Sequence, residues 1–179
     1  MGRNRQSDLG ERIEMALEPA VTEIEQLKGH PGLACLLSWN AAAVQGAKQY
    51  CGQLTIWVER EQLRAAAAIL RDNPACPFDG LVDVTCVDWY PQEPRFEVVY
   101  NLLSFKHKIR VRLKVKLAGD DATVESVTPV WPAANFFERE VMDLFGVRFA
   151  GHPNPLRILM PEDWEGHPLR KDYPVEGYR

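Results

Sequence analysis

The chain has 179 residues, a formal net charge of -4 and a pI near 5.6, and 46% of it is hydrophobic. These values fit one domain with a substantial apolar core and exclude a basic, nucleic-acid-binding chain. No apolar run approaches the roughly 18 residues of a membrane span, and the opening MGRNRQSDLGERIEMALEP has no apolar signal region, so a cytosolic chain is expected.

Leu9, Ile13, Leu17, Val21, Ile24 and Leu27 recur at helical spacing and predict a helix over 8–28, which Pro19 can divide. With the turn GHPG at 29–32, residues 1–32 read as an N-terminal helical segment. LACLLSW, 33–39, predicts a short strand. QLTIWV predicts a second, with Leu54, Ile56 and Val58 on one face. REQLRAAAAILRDN is a helix with a Leu63, Ala66, Ala67, Leu70 stripe, stopped at Asn73-Pro74. Strands follow at 81–90 and 95–104, with PQEP turning between them. In HKIRVRLKVKL, Ile109, Val111, Leu113, Val115 and Leu117 face one way. Arg110, Arg112, Lys114 and Lys116 face the other, toward solvent or an acidic neighbour. The pattern predicts an α+β domain over 33–151, with a mixed, mainly antiparallel sheet and flanking helices. From His152 onward, five prolines exclude helix and central strand, yet Leu156, Ile158, Leu159, Met160, Trp164, Leu169 and Tyr173 need a surface to lie against. Residues 152–179 therefore read as an extended, proline-rich tail wrapping its own domain or a partner.

Cys35, Cys51, Cys76 and Cys86 form no C-x-x-C pair, the four histidines form no i, i+4 pair, and no glycine-rich phosphate loop is present. The cysteines read as mostly buried, reduced thiols.

The stretch FFEREVMDLFGVRFAGHP, 136–153, is the candidate site. Asn135 and Glu138 have capping-box spacing, and Gly146 sits where a left-handed cap would close a helix over 136–145. Phe137, Val141, Leu144 and Phe145 share a core-facing stripe, while Glu138, Arg139 and Asp143 fall off it. Arg139 and Asp143 are at i, i+4 and can pair; Glu140 and Asp143 are at i, i+3. Three readings stand on pattern alone: a solvated charged face, a partner-facing charged surface, or an acid–base pair with His152 nearby.

EREVMDLFG resembles the signature of the C-subunit family of respiratory NADH:quinone oxidoreductase (complex I, type I NADH dehydrogenase), through Glu138, Arg139, Glu140, Asp143 and Gly146. The resemblance continues through Phe149, Gly151, His152 and Pro153, and through Arg157, Trp164, Pro168, Leu169, Arg170, Lys171, Asp172 and Tyr173. FDGLVDVTCVDW and RFEVVYNLLS also resemble the strand pair that precedes the signature, so the likeness spans about 73–174; Pro155 departs from it.

The resemblance implies a cofactor-free accessory subunit of the peripheral arm. Flavin mononucleotide (FMN) and iron–sulfur centres would lie in partner subunits and carry electrons from NADH to quinone, coupled to proton pumping. It implies packing beside the quinone-site (D) subunit and near the iron–sulfur (B and I) subunits, no nucleic acid, and membrane contact only through the complex. The place is then the cytoplasmic side of the cell inner membrane. It also implies that the charged cluster fixes the helix and the start of the tail and presents charge to a partner. The same shape fits a related subunit of a membrane-bound [NiFe] hydrogenase or of a ferredoxin- or F420-linked dehydrogenase. A reading of another class is a free-standing hydrolase using Glu138, Glu140 and His152.

Overall fold

The structure, a computed structural model, describes residues 20–177. Most of the helix expected over 8–28 lies outside the described residues. At its described end only α1 (Ile24–Leu27) is helical, and Val21 forms an isolated antiparallel bridge to Gln49. The strand expected over 33–39 is instead a helix, α2 (Pro31–Asn40). Pro31 at the first turn presets φ, and His30 Nδ1 caps the end by accepting the Gly32 N–H at 3.2 Å. Leu33 and Leu36, three apart, are both fully buried, while Ala34 between them is exposed; that is helical periodicity, not alternation.

β1 (Val44–Tyr50) is not expected from its weak VQGAKQY pattern. It exists because Cys51 and Gly52 both take positive φ (48° and 72°), closing a two-residue hairpin onto β2 (Gln53–Val58). α3 (Leu63–Arg71) follows, then β3 (Gly80–Asp88), β4 (Phe96–Ser104) and β5 (Ile109–Leu117). The strand order is β1-β2-β5-β4-β3, with only β2 and β5 parallel. The fold is thus α+β with a mixed, mainly antiparallel sheet.

One sheet face carries Leu54, Ile56, Val58, Val98, Tyr100, Val111, Leu113 and Val115, all buried. Leu63, Ala66, Ala67 and Leu70 of α3 pack into this core, as does α4 (Ala134–Phe145), which lies across β3. Each such leucine or isoleucine contributes roughly 1.5–3 kcal/mol by leaving water. β6 (Thr123–Glu125) and β7 (Arg148–Ala150) form a small parallel pair joined through α4. Between Gly151 and Gly177 no helix or strand forms. Cys76 and Cys86 are buried, Cys35 is half-buried and Cys51 is exposed.

Candidate functional site

α4 runs from Ala134 to Phe145 and has no side-chain cap at its N-terminus, so the expected Asn135–Glu138 capping box does not form. Glu138 lies on the buried stripe Ala134, Glu138, Val141, Phe145, at spacings of four, three and four. Its carboxylate instead organises the loop before the helix. Oε1 accepts the Val127 N–H at 2.7 Å, and Oε2 accepts the Ser126 hydroxyl at 2.6 Å and the Thr128 hydroxyl at 3.3 Å. Burial pushes the Glu138 carboxyl above its usual range, and these hydrogen bonds only partly offset it. The nearest basic group is His152, whose Nε2 stands 4.0 Å from Glu138 Oε2. His152 Nδ1 accepts the Asn154 N–H at 3.0 Å, which places the ring proton on Nε2, 3.1 Å from the Asn135 carbonyl.

Asp143, five residues on, is also buried but is surrounded differently. One oxygen, Oδ2, accepts the consecutive N–H groups of Ile158, Leu159 and Met160 at 2.8–3.0 Å. The other receives the Arg157 guanidinium at 2.5 Å. Burial alone would raise the Asp143 carboxyl; the Met160 and Leu159 amides, Arg157 and the Ile158 amide outweigh it and hold it below its usual range. The expected Arg139–Asp143 pair therefore does not exist. Arg139 reaches the tail itself, donating to the Leu156 carbonyl at 2.8 Å and the Arg157 carbonyl at 3.0 Å. Glu140 is exposed, on a different side of the helix from Glu138. The structure thus separates the two glutamates and closes Glu138 and His152 off from solvent, an arrangement with no room for the hydrolase substrate.

The tail also finishes the helix. The last four carbonyls of a helix have no partner within it. Here Gly146, left-handed at φ 74°, donates its N–H to the Met142 carbonyl. His167 Nδ1 and Arg157 serve the Asp143 carbonyl, the Leu169 N–H serves Leu144, and Arg170 Nε serves Phe145 at 2.6 Å. A Cβ on residue 146 would collide with the Arg170 guanidinium and the His167 ring, so glycine is required for closeness as well as for φ. Arg157 continues to the Trp164 and Gly166 carbonyls, at 3.0 and 3.2 Å.

A second tie joins the tail to the β3–β4 hairpin. Arg95 grips Asp88 through two bonds of 2.9 Å and Asp172 through bonds of 3.0 and 2.6 Å. The Lys171 N–H adds a bond to Asp88 at 2.9 Å. Burial would raise Asp88, but Arg95 and the Lys171 and Tyr90 amides bring it down to about 2. Arg170 and Arg95 both stack over Phe96, at 5.2 and 4.9 Å from the ring centre.

The expected charge-assisted partner contacts of Arg157 and Arg170 are thus turned inward, and the tail is laid firmly along its own domain. Outward go Phe136 (63% exposed), Leu156 (55%), Leu159 (53%) and Leu169 (51%). Trp164, Pro168 and Tyr173 are half-buried; Phe149, paired beside Val124 in the β6–β7 ladder, is buried, and Gly151, Pro153, Lys171 and Asp172 are exposed.

Residues 56–179 match the family described as respiratory-chain NADH dehydrogenase, 30 Kd subunit. The chain belongs to this family. It is 48% identical over 133 residues to the NADH-quinone oxidoreductase C subunit of Roseiflexus sp. (strain RS-1), covering 74% of this chain and 76% of that one. The corresponding C subunit of Methylorubrum populi is 43% identical over 171 residues, 95% of this chain and 67% of that one. Among solved structures, a chain of the membrane-bound sulfane sulfur reductase, an archaeal respiratory membrane complex, superposes with a TM-score of 0.69 at 27% identity. That superposition covers 83% of this chain and 86% of the other. The chain is accordingly of a kind that works as a subunit of a multi-subunit respiratory oxidoreductase. Among the described residues no helix is long and apolar enough to cross a membrane, and no cluster of three His, Cys, Asp or Glu side chains suits a metal.

Sequence reasoning misses Asp88, Arg95 and the Ser126–Thr128 loop. Asp88 carries a signal: it continues the inward positions of Val84 and Cys86 in a period-2 strand, where an acid demands a cation. Arg95 and the loop carry none.

Proposed function

We propose that the chain is a cofactor-free accessory subunit of the peripheral arm of a proton-pumping NADH:quinone oxidoreductase. It seats against the quinone-site (D) subunit and near the iron–sulfur (B and I) subunits, on the cytoplasmic side of the membrane. Electrons pass from NADH through flavin and iron–sulfur centres of partner subunits to quinone, and this chain supplies shape rather than redox chemistry. One observation carries the reading. Asp143 and Arg139 hold the peptide groups of 156–160 inward, so Leu156, Ile158 and Leu159 are presented outward on a fixed backbone. A pre-ordered apolar surface costs little further entropy on docking. Mixed-sign charge on α4 is thereby assigned to internal fastening, with Glu140 left for a partner.

Co-purification tests this. Leu156→Asp with Leu159→Asp, at exposed positions, should leave the melt of the isolated chain unchanged and abolish capture of the quinone-site subunit. Unchanged capture overturns the docking role. Metal analysis and the visible spectrum of the isolated chain should be blank; stoichiometric iron or a flavin band overturns the cofactor-free role. A second reading, a related membrane respiratory complex as host, is supported by the likeness to the sulfane sulfur reductase chain. Capture of that host's subunits in place of the quinone-site subunit would favour it.

A further inference from the structure

The basic residues of β5 do not share one fate. Lys114 is neutralised within the chain: its Nζ lies 2.6 Å from Glu97 Oε2, and Trp57 Nε1 holds the other oxygen at 2.7 Å. Glu97 is nearly fully buried under this pair. Arg112, on the same face, meets only neutral acceptors, Asn101 Oδ1 at 3.1 Å and Gln53 Oε1 at 3.0 Å. These use Nε and Nη2, orient the guanidinium and leave Nη1 uncommitted. Arg110 is exposed, and its guanidinium has no ion pair or hydrogen bond among the described residues. Both arginines line a concavity of about 300 Å³, bounded by Gln53, Val82, Asp83 and Asn101. The β4–β5 turn beside it exposes Lys106, His107 and Lys108. Two carboxylates stand at this end: Asp79 accepts the Phe105 N–H at 3.1 Å, and Asp83, in the wall of the concavity itself, is approached by Asn101 Nδ2 at 3.5 Å, so the lining sets two guanidinium groups against one carboxylate and stays positive.

We propose that this concavity is a docking site for an acidic segment of a partner protein, with Arg110 and Arg112 receiving its carboxylates. The surface is positive on a chain whose net charge is -4, so its charge is local and calls for a complement. A guanidinium held by two amides keeps a fixed fork, the form that suits a carboxylate. The recess decides between partners. A planar lipid surface meets protruding basic and apolar side chains, whereas a slot within a sheet face admits a side chain or an extended peptide.

The test uses the full chain and a labelled hexaglutamate peptide, read by fluorescence anisotropy from about 0.05 to about 0.3 M salt. Binding should be present at low salt and fall as salt rises. Arg110→Glu with Arg112→Gln should lose it at least ~tenfold, whereas Lys116→Glu, exposed on the same strand, should retain it. If the double variant melts early, Arg110→Gln carries the test alone, since it removes no contact within the chain. No binding by the native chain overturns the proposal. So does equal loss in Lys116→Glu, which means diffuse attraction, and so does displacement of the peptide by phosphatidylglycerol vesicles in preference to an acidic protein.

Discussion

α4 carries two fully buried carboxylates five residues apart, and its two halves solve the same electrostatic problem in opposite ways. At the C-terminal half, Asp143 faces a guanidinium and three amides, and its ionised form is favoured. At the N-terminal half, Glu138 faces two hydroxyls and one amide, with only a histidine 4.0 Å away, and burial raises its carboxyl above the usual range. The difference follows from which chain segment covers each end. The tail brings Arg157; the 126–128 loop brings only polar neutral groups. A buried carboxylate needs a fixed cation to remain charged without penalty. The C-terminal half is therefore a lock whose strength is electrostatic, and the N-terminal half is a packed polar core.

The sharpest way to break this comparison is to remove the cation. Arg157→Ala leaves Asp143 buried and charged without its partner, a change that typically costs ~3–5 kcal/mol. Cutting the chain after Gly151 removes in addition the caps on the Asp143, Leu144 and Phe145 carbonyls, so it should cost at least as much. Denaturant melts at neutral pH measure both. If both changes alter stability by less than ~1 kcal/mol, the lock is only a surface contact.

Titration separates the two halves by sign. Asp88 and Asp143 are depressed in the folded chain, so their contribution is fully present above the unfolded value near ~3.9 and is lost as pH falls, for Asp88 through about 2. The tail should let go in that acid window, seen as a change in Trp164 emission before the sheet unfolds. Glu138 is raised, so its contribution is full below the unfolded value near ~4.3 and is lost as pH rises through its folded value. Glu138→Gln should flatten stability against pH above ~4.3, where one such group changes the slope by up to ~1.4 kcal/mol per pH unit. An unaltered slope would mean that Glu138 titrates alike in the folded and unfolded chain, and the contrast between the two halves would be lost.

The sheet is legible in the sequence because its chemistry is periodic. β5 alternates cleanly in sequence and in burial, β2 carries Leu54, Ile56 and Val58 at alternate positions, and the inward residues Ile56 and Leu113 are buried. α2 misleads because seven residues of LACLLSW fit strand and helix alike, and Pro31 with His30 decides it from outside the window. The site is half legible. Some of the signature residues meet at the helix–tail junction, Arg139, Asp143, Gly146, Arg157 and Arg170 among them, whereas Glu140 faces solvent and Asp172 joins Arg95; these pairings are not readable from the sequence. A helical wheel places Arg139 next to Asp143, yet the tail delivers Arg157 from fourteen residues away, at no spacing that local periodicity encodes. Glu138 misleads for a related reason: a charged residue is expected to be wet, whereas this one shares a buried stripe with Ala134 and Val141.

The smallest expected effect tests which charges are left for others. Glu140 stands between the two buried carboxylates in sequence but is exposed, and among the described residues its carboxylate has no ion pair. Nothing inside the chain depends on it, so Glu140→Ala should change the stability of the isolated chain by less than ~0.5 kcal/mol. Glu138→Ala, by contrast, leaves the Val127 N–H buried without an acceptor, a cost of ~1–3 kcal/mol. If Glu140 belongs to the partner-facing set with Leu156 and Leu159, the same Glu140→Ala chain should associate with the quinone-site subunit more slowly, with a shallower salt dependence, because a lost rim charge acts mainly on encounter. Paired melts and association rates at two salt concentrations measure this. A stability loss comparable to that of Glu138→Ala would return Glu140 to the interior network. Unchanged stability with an unchanged salt slope would leave it as a solvated charge, and the division of α4 into internal and external carboxylates would then end at Asp143.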